Sequence, residues 1–415
     1  MTPNNMAQTL FWLIIGIIVF DYVLDKFLDY LNYRNMQESV PEELSGIYDE
    51  EKYRKSQQYE KVNIAFSMIT GTFSFILILV MLFVDGFALL DNYVSNITQS
   101  EYLRALLFFG ILGIGMDIIS LPFQIYGTFV IEERFGFNKT TPMTFITDKI
   151  KSWLLGAVIG GGLLMFIMWA WNETGSWFWL IVMGGLSFFM IFMTMFYSRI
   201  IVPLFNKQTP LEEGTLKDAI VSFSEKAGFK IDNIFSIDGS KRSTKANAYF
   251  SGLGPKKRIV LYDTLIKELD EQEIVAVLAH EVGHNKLKHV IIGLAMSLVQ
   301  SGLMVWMLSI AISRPELSMA IGASTPSFYM GIIAFGLLFS PISTVVGIFT
   351  NIISRRHEYQ ADAFAAGYGY GDGLINGLVK LSVSSLSNLT PHWLYVFFNY
   401  SHPTLLQRKK AIEGL

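Results

Sequence analysis

Seven long apolar stretches constrain the fold of this 415-residue chain more than any other feature of its sequence. A helix needs about 20 predominantly apolar residues to cross a bilayer, and each stretch is about that long or longer. The chain is 52% hydrophobic and only 16% charged, which is too apolar for a soluble protein of this length. We therefore predict a multi-pass α-helical membrane protein, with spans near 10–29, 63–90, 103–131, 152–171, 177–198, 290–312 and 327–350.

The basic residues alternate between the loops that connect these stretches. The loops after the first, third and fifth stretches are rich in Lys and Arg, whereas the loops after the second and fourth are poor in them. Basic loops stay on the cytoplasmic side of a membrane. We therefore expect the N-terminus outside, the C-terminus in the cytoplasm, and the first apolar stretch retained as an anchor.

Charge and cysteine content exclude several classes of function. The net charge is −3, so neither a nucleic-acid partner nor a polybasic membrane-surface role is indicated. The chain has no cysteine, which excludes disulfides, thiolate metal ligands, a cysteine nucleophile and prenylation of the chain itself. With nucleic acid excluded, the lipid bilayer is the partner that the apolar stretches predict.

The pentapeptide His280-Glu281-Val282-Gly283-His284 lies just before the sixth apolar stretch. On a helix, His280 and His284 share a face and can bind one Zn²⁺, while Glu281 reaches the water that the metal activates. A polar patch on an ordinary helix is the alternative interpretation. We expect the helix to begin at Asp270 and to run unbroken into the sixth span.

A catalytic zinc takes three protein ligands, so one ligand is still missing. Glu358 is the best candidate, because it lies in the polar segment Arg355–Asp362 directly after the seventh span. Asp362, one helical turn later, is placed to accept the outer N–H of a zinc-bound histidine. His357 competes as a ligand, although it points about 100° away from Glu358 on a helix. A solvated cytoplasmic helix with surface charges is the alternative.

Three further histidines fall in the last third of the chain. His289 follows His284 by five residues, which predicts an interfacial position away from the ligand face. His392 is expected in a loop, with no readable function. His402, in Tyr400–Pro403, is a candidate donor to the oxyanion of peptide hydrolysis, although its spacing alone favours an ordinary loop histidine.

The polar segment between the fifth and sixth spans has mixed α and β patterns. Leu211–Gly228 has helical spacing, and Ile234–Ile237 and Arg258–Leu261 are β-rich. Asn247-Ala248-Tyr249-Phe250 lies between those two runs and is expected to form an edge strand. An edge strand can hold an extended peptide through backbone hydrogen bonds.

These patterns divide the chain into four parts, each with a separate expected role. They are a five-span membrane domain, a cytoplasmic catalytic segment, spans six and seven, and a C-terminal cytoplasmic segment with the third ligand, over residues 1–198, 199–289, 290–353 and 354–415.

The chain resembles the zinc-dependent type I CAAX prenyl endopeptidases, a family of integral membrane metalloproteases. The likeness extends over nearly the whole chain rather than over a single motif. It is carried by Glu132–Lys139, Pro203–Lys207, Asn247–Phe250, His280–His284, Arg355–Asp362 and Tyr400–Pro403.

The resemblance implies a barrel of seven membrane helices around a large water-filled chamber, with a gluzincin-like α+β domain at its cytoplasmic end. It also implies one Zn²⁺ per chain and a set of site residues. These are His280, His284 and Glu358 as ligands, Glu281 as base, Asp362 as partner of a ligand, and His402 with Arg408 near the substrate and oxyanion. Short loops and the lack of a retrieval signal favour a prokaryotic cell membrane over the endoplasmic reticulum.

The leading hypothesis is a membrane-embedded zinc endopeptidase that cleaves near the C-terminus of prenylated CAAX proteins or peptides. Asn247–Phe250 would bind the peptide backbone, and an isoprenyl group would lie among aromatic residues of the membrane walls. One alternative is a quality-control membrane protease without prenyl dependence. Another is a transporter or lipid-binding chamber with a structural zinc, against which Glu281 argues, since a structural site needs no base. The sequence leaves the oligomeric state open.

Overall fold

The computed structural model describes residues 3–37, 39–42, 45–46, 49–228, 233–252 and 258–415. The α-helices of the first half are α1 (Pro3–Asn35), α2 (Glu50–Phe83), α3 (Gly86–Ile97), α4 (Glu101–Tyr126), α5 (Glu133–Phe135), α6 (Pro142–Leu155), α7 (Gly161–Thr174), α8 (Phe178–Ile200) and α9 (Val202–Phe205). Those of the second half are α10 (Thr215–Lys226), α11 (Asp263–Glu268), α12 (Glu271–Lys286), α13 (His289–Ala311), α14 (Pro315–Met319), α15 (Phe328–Gly367), α16 (Gly371–Ser384), α17 (Trp393–Asn399) and α18 (Leu405–Glu413). The strands are β1 (Gln208–Pro210), β2 (Ile234–Ile237), β3 (Ala248–Ser251) and β4 (Arg258–Tyr262).

Membrane-spanning helices make up most of the structure. Within the described ranges, six helical runs are long and apolar enough to cross a membrane, namely Asn4–Asn35, Glu50–Phe83, Glu101–Phe135, Pro142–Phe205, His289–Ala311 and Phe328–Gly367. They contain most of each of the seven predicted stretches, and the fourth and fifth share one 64-residue run. The prediction of the second stretch to residue 90 is too long, because α2 ends at Phe83 and Asp85 is left-handed, with φ +53°, before α3 begins. That run is interrupted at Gly175, where φ is +54°, and α8 then packs against α7. The chain is therefore an integral multi-pass membrane protein.

A four-stranded sheet follows the fifth predicted span, in the strand order β1-β2-β4-β3. β2 is parallel to β4, whereas β1 and β3 are antiparallel to their neighbours. β3 lies at the edge of the sheet, as predicted for Asn247–Phe250, although the strand begins at Ala248 and ends at Ser251. The sheet therefore has an edge on which an extended peptide can add.

The helix α12 packs against α10, α15 and α16 through an apolar core that includes Leu278 and Val282. A capping box defines its start, because the Asp270 side chain accepts from the Glu273 N–H and the Glu273 side chain accepts from the Asp270 N–H. Lys380 of α16 lies 2.6 Å from the Glu273 carboxylate. The metal-motif helix is thus held at its N-terminus and along its apolar face.

The expectation that α12 continues unbroken into the sixth span is wrong. α12 ends at Lys286, and Lys288 adopts a left-handed conformation, with φ +62° and ψ +23°, before α13 begins at His289. A left-handed residue stops the helical hydrogen-bond pattern and changes the direction of the chain. The break therefore places His289 differently from the position that continuous helical spacing predicts.

Candidate metal centre and active site

The two histidines of the HExxH motif lie one turn apart on α12 and face the same way. Their Nε2 atoms are 3.1 Å apart, so both rings direct the same nitrogen to one point. Gly283, between them, lies against α15, where an added Cβ would be 3.1 Å from Phe364 Cβ and 3.2 Å from the Ala361 Cα. The glycine therefore permits the close helix crossing that brings α15 to the histidines.

Glu358 on α15 meets the two histidines at this crossing. Its carboxylate oxygens lie 3.4 Å from His280 Nε2 and 3.2 Å from His284 Nε2. Among the residues that the structure describes, these three are the group identified as able to hold a metal ion, with ligand atoms within 4.8 Å of one another. Glu358 Oε2 is buried without a hydrogen-bond partner. A buried carboxylate oxygen beside two imidazole nitrogens suits a divalent metal ion.

Asp362 and Arg408 contact His280 on the side of its ring that faces away from the converging group. Asp362 Oδ1 lies 2.8 Å from His280 Nδ1, and Arg408 donates to both Asp362 oxygens at 2.6 and 2.9 Å. Asp362 is 1% exposed and Arg408 is 8% exposed. Burial lowers the pKa of His280, but the adjacent carboxylates of Asp362 and Glu358 outweigh this and raise the pKa to about 9. Asp362 therefore lies where it can accept the Nδ1–H of His280, which leaves Nε2 directed to the converging group.

Arg408→Met is expected to destabilise the protein by about 3–5 kcal/mol, because Asp362 would lose its bidentate cation while remaining buried. The thermal unfolding midpoint in detergent measures the effect. Lys410→Met on the same helix is the matched control, since Lys410 is exposed and its replacement is expected to change stability by less than about 0.5 kcal/mol. Equal midpoints for the two variants would contradict a stabilising role of the Arg408–Asp362 pair.

Glu281 lines a cavity of about 590 Å³ that also contains the three converging side chains. Burial raises the pKa of the Glu281 carboxyl above its ordinary value. A carboxylate with a raised pKa is a stronger proton acceptor than an exposed one. Glu281 therefore lies in the same cavity as the three converging side chains.

The edge strand β3 forms one wall of the same cavity. Asn247, Ala248 and Phe250 line it beside the histidines. Tyr249 instead lines a second cavity on the other side of the strand, where its hydroxyl lies 3.4 Å from Ser198 Oγ. Of the four residues predicted to bind substrate, Tyr249 lines the second cavity but not the metal cavity, whereas Asn247 and Phe250 line both.

His402 lies at the mouth of the cavity. Its side chain is 63% exposed, and its Nε2 is 3.4 Å from Glu358 Oε1. Arg355 of α15 holds this segment by donating to the carbonyl oxygens of Val396 and Tyr400 at 3.2 and 2.5 Å. His402 therefore lies beside the metal site, although its sequence spacing alone favoured an ordinary loop histidine.

The structure places His289, His357 and His392 outside the converging group of His280, His284 and Glu358. His289 lies off the ligand face as predicted, but it is 6% exposed and its Nδ1 lies 3.0 Å from His284 Nδ1, so it contacts a candidate ligand. His357, the competing ligand candidate, stacks on His289 with ring centroids 3.9 Å apart and lies outside the converging group. His392 caps α17 by accepting from the Leu394 N–H at 3.2 Å. No local sequence signal indicates the His289 contact.

Paired histidines, an adjacent glutamate and a facing carboxylate, carried on helices next to membrane spans, define a membrane-embedded metallopeptidase. Two family models match nearly the whole chain, "CAAX prenyl protease N-terminal, five membrane helices" at residues 29–207 and "Peptidase family M48" at residues 210–415. The chain belongs to peptidase family M48, in its CAAX prenyl protease branch.

Full-length relatives and a solved structure agree with this assignment. CAAX prenyl protease 1 of Saccharomyces cerevisiae is 34% identical, over 97% of this chain and 94% of its own. The homologues of Arabidopsis thaliana and Homo sapiens are 33% and 31% identical, over 97% and 91% of this chain and 97% and 89% of their own. The crystal structure of S. mikatae Ste24p matches with a TM-score of 0.91 and 34% identity, over 97% of this chain and 98% of that one. These relatives are eukaryotic, so they do not support the preference for a prokaryotic membrane.

Proposed function

We propose that this protein is a membrane-embedded zinc endopeptidase that cleaves peptide bonds near the C-terminus of prenylated CAAX proteins. The observation that carries the proposal is the convergence of His280, His284 and Glu358 beside Glu281, in a cavity walled by an edge strand. The names of the relatives, CAAX prenyl protease 1, support the substrate class.

Zinc is the metal that this donor set favours, because two imidazole nitrogens and one carboxylate oxygen leave a fourth position open for catalysis. His280, His284 and Glu358 would hold it. When bound, zinc supplies a Lewis acid for the scissile carbonyl and lowers the pKa of water to about 7. Asp362, fixed by Arg408, orients His280 for this role.

The protein's own residues then carry the proton and the developing charge. Glu281 takes a proton from the attacking water and gives it to the leaving amine. His402, exposed at the mouth of the cavity, donates a hydrogen bond to the oxyanion of the tetrahedral intermediate. Arg408 Nη1, 3.5 Å from Glu358 Oε2, adds positive charge next to the site.

We assign substrate binding to the segment Asn247–Phe250 on and beside β3. A peptide added to this edge would be held by backbone hydrogen bonds, which are largely independent of its side chains. Specificity then comes from elsewhere, and we assign it to an isoprenyl group lodged among Phe, Met and Trp residues of the membrane helices. Most of the other aromatic residues there contact lipid.

For the architecture, we propose seven spans around a water-filled chamber, with a gluzincin-like α+β domain at one end. The run Pro142–Phe205 would be roughly 96 Å long as one straight helix, against a bilayer core of about 30 Å, which supports two spans that turn at Gly175. Only 6–17% of each apolar window is buried. Helices with so little buried surface suit a hollow arrangement, with lipid outside and water inside.

We propose that the active site faces the cytoplasm. The support is the distribution of Lys and Arg, which favours a cytoplasmic location for the loops after the first, third and fifth spans. The four-part division at residues 1–198, 199–289, 290–353 and 354–415 then places the catalytic segment and the C-terminal segment on the same side.

The test is cleavage of a farnesylated CAAX peptide by the purified protein in detergent, with mass spectrometry to locate the cut. The matched substrate control is the same peptide without the farnesyl group, and the matched protein control is Glu281→Gln. We expect loss of the last three residues from the farnesylated peptide with the wild type only.

Two results would contradict the proposal in different ways. Equal cleavage of both peptides would support a quality-control protease without prenyl dependence. A zinc-loaded wild type that cleaves neither peptide would contradict prenyl-peptide processing and favour a non-enzymatic chamber.

A further inference from the structure

His289 contacts a proposed metal ligand from the side opposite to the metal. It is the first residue of α13 and is 6% exposed. Its Nδ1 lies 3.0 Å from His284 Nδ1, and its Nε2 lies 3.0 Å from Gln360 Oε1. The break at Lys288 makes this contact possible, because a continuous helix would rotate His289 away from His284.

A single assignment of protons satisfies this row of three side chains. His284 directs Nε2 to the point shared with His280 and Glu358, so ligation requires a lone pair there and places the proton on Nδ1. His289 Nδ1 must then accept that proton, which leaves the His289 proton on Nε2. Gln360 Oε1 can only accept, and it accepts from that Nε2–H.

The two ligand histidines thus have different partners. His280 Nδ1 lies 2.8 Å from Asp362 Oδ1, a carboxylate that accepts its proton. Arg408 Nη2 is 3.3 Å from the same Nδ1, but both groups are donors in this tautomer, so the carboxylate is the partner. The corresponding partner of His284 is the neutral imidazole of His289. The His357 ring stacks on the His289 ring with an interplanar angle of 6°.

We propose that His289 and Gln360 are positioning residues that hold His284 in the tautomer and ring orientation required for metal binding. The proposal rests on the metal site of the proposed function. His289 accepts from the ligand, Gln360 fixes the tautomer of His289, and the stacked His357 ring limits rotation of the His289 plane. Outer partners of this kind orient metal ligands and tune their basicity.

The experiment measures Zn²⁺ affinity of the full-length protein in detergent by competition with a chelator, with no substrate present. His289→Leu removes the acceptor, and we expect about 10–100-fold weaker Zn²⁺ binding. His289→Asn keeps an oxygen close to the position of Nδ1, so it should recover most of the loss. Gln360→Leu leaves His289 in place but frees its tautomer, which should weaken binding less than His289→Leu does.

A spectroscopic measurement separates ligand orientation from general destabilisation. The visible absorption of bound Co²⁺ depends on coordination geometry. We expect it to change in His289→Leu and to resemble the wild type in His289→Asn. His392→Leu is the matched control, because His392 caps α17 and does not line the cavity, and both readouts should be unchanged.

The outcomes distinguish this inference from the proposed function. Wild-type affinity in both His289→Leu and Gln360→Leu would overturn the positioning role while leaving the metal site intact. Equal weakening by His289→Leu and His289→Asn would also overturn it, because an acceptor at that position would not matter. A wild type that binds no Zn²⁺ would overturn both proposals together. If His289→Leu does not fold, the comparison of Gln360→Leu with the wild type decides.

Discussion

Replacing Glu281 with glutamine is expected to lower kcat by about 10²–10⁴-fold, the usual contribution of a general base. Glutamine has nearly the same shape as glutamate but cannot accept the proton of the attacking water. Because Glu281 is outside the converging group of ligands, the Zn²⁺ content and the KM should stay close to those of the wild type. Steady-state cleavage of the farnesylated peptide, together with metal analysis, measures all three quantities.

Glu271→Gln is the matched control for this prediction. Glu271 lies on the same helix, in its first turn, and is exposed to solvent. The same change of charge there should leave kcat unaffected. Comparable activity of Glu281→Gln and Glu271→Gln would rule out Glu281 as the base, whereas loss of Zn²⁺ from Glu281→Gln would show that the residue acts through the metal.

Replacing Glu358 with alanine is expected to abolish activity by removing a ligand. Its Zn²⁺ affinity should fall by more than the 10–100-fold that is typical when an outer partner is lost. Metal binding stabilises a folded protein by about 2.7 kcal/mol at a free concentration of 100 Kd. Zn²⁺ should therefore raise the thermal unfolding midpoint of the wild type, but not that of Glu358→Ala at the same concentration.

Glu268→Ala serves as the control for Glu358→Ala. Glu268 is exposed at the end of α11 and lies outside the cavity, so its loss should leave the Zn²⁺-dependent shift intact. A wild-type shift in Glu358→Ala would exclude Glu358 as a ligand. His357 would then have to be considered again as the third donor.

The features that the sequence predicts well are those determined by local periodicity. Each of the seven predicted stretches coincides for most of its length with a helical run that is long and apolar enough to span a membrane, although the second was predicted seven residues too long. The spacing of His280 and His284 places both on one helical face, whatever the position of that helix in the fold. Glu358 could be predicted as the third metal ligand from its place in a polar segment directly after a membrane span, because few carboxylates follow the seventh span.

Features that depend on a single backbone conformation were not predictable. Lys288 is neither Gly nor Pro, so nothing in its identity indicates the left-handed conformation that ends α12. His289 lies outside the converging group, as its spacing predicts, but its contact with His284 depends on the turn at Lys288 and was not predicted. His402 reaches Glu358 across a separation of 44 residues, which periodicity cannot report. Tertiary contacts decide such positions.

The edge strand β3 carries a consequence for how a cleavage position is chosen. Ala248 lines the metal cavity but not the second cavity, Tyr249 lines the second cavity but not the metal cavity, and Phe250 lines both. A peptide added to β3 takes on the same alternation, so a shift by one residue would exchange its two faces, and only shifts by two preserve them. With backbone pairing of this kind, the cleaved bond is determined by its distance in residues from a point of the peptide that is held in place, and not by one particular side chain. The C-terminus of a peptide and a lipid group attached to it are two points that could be held in this way.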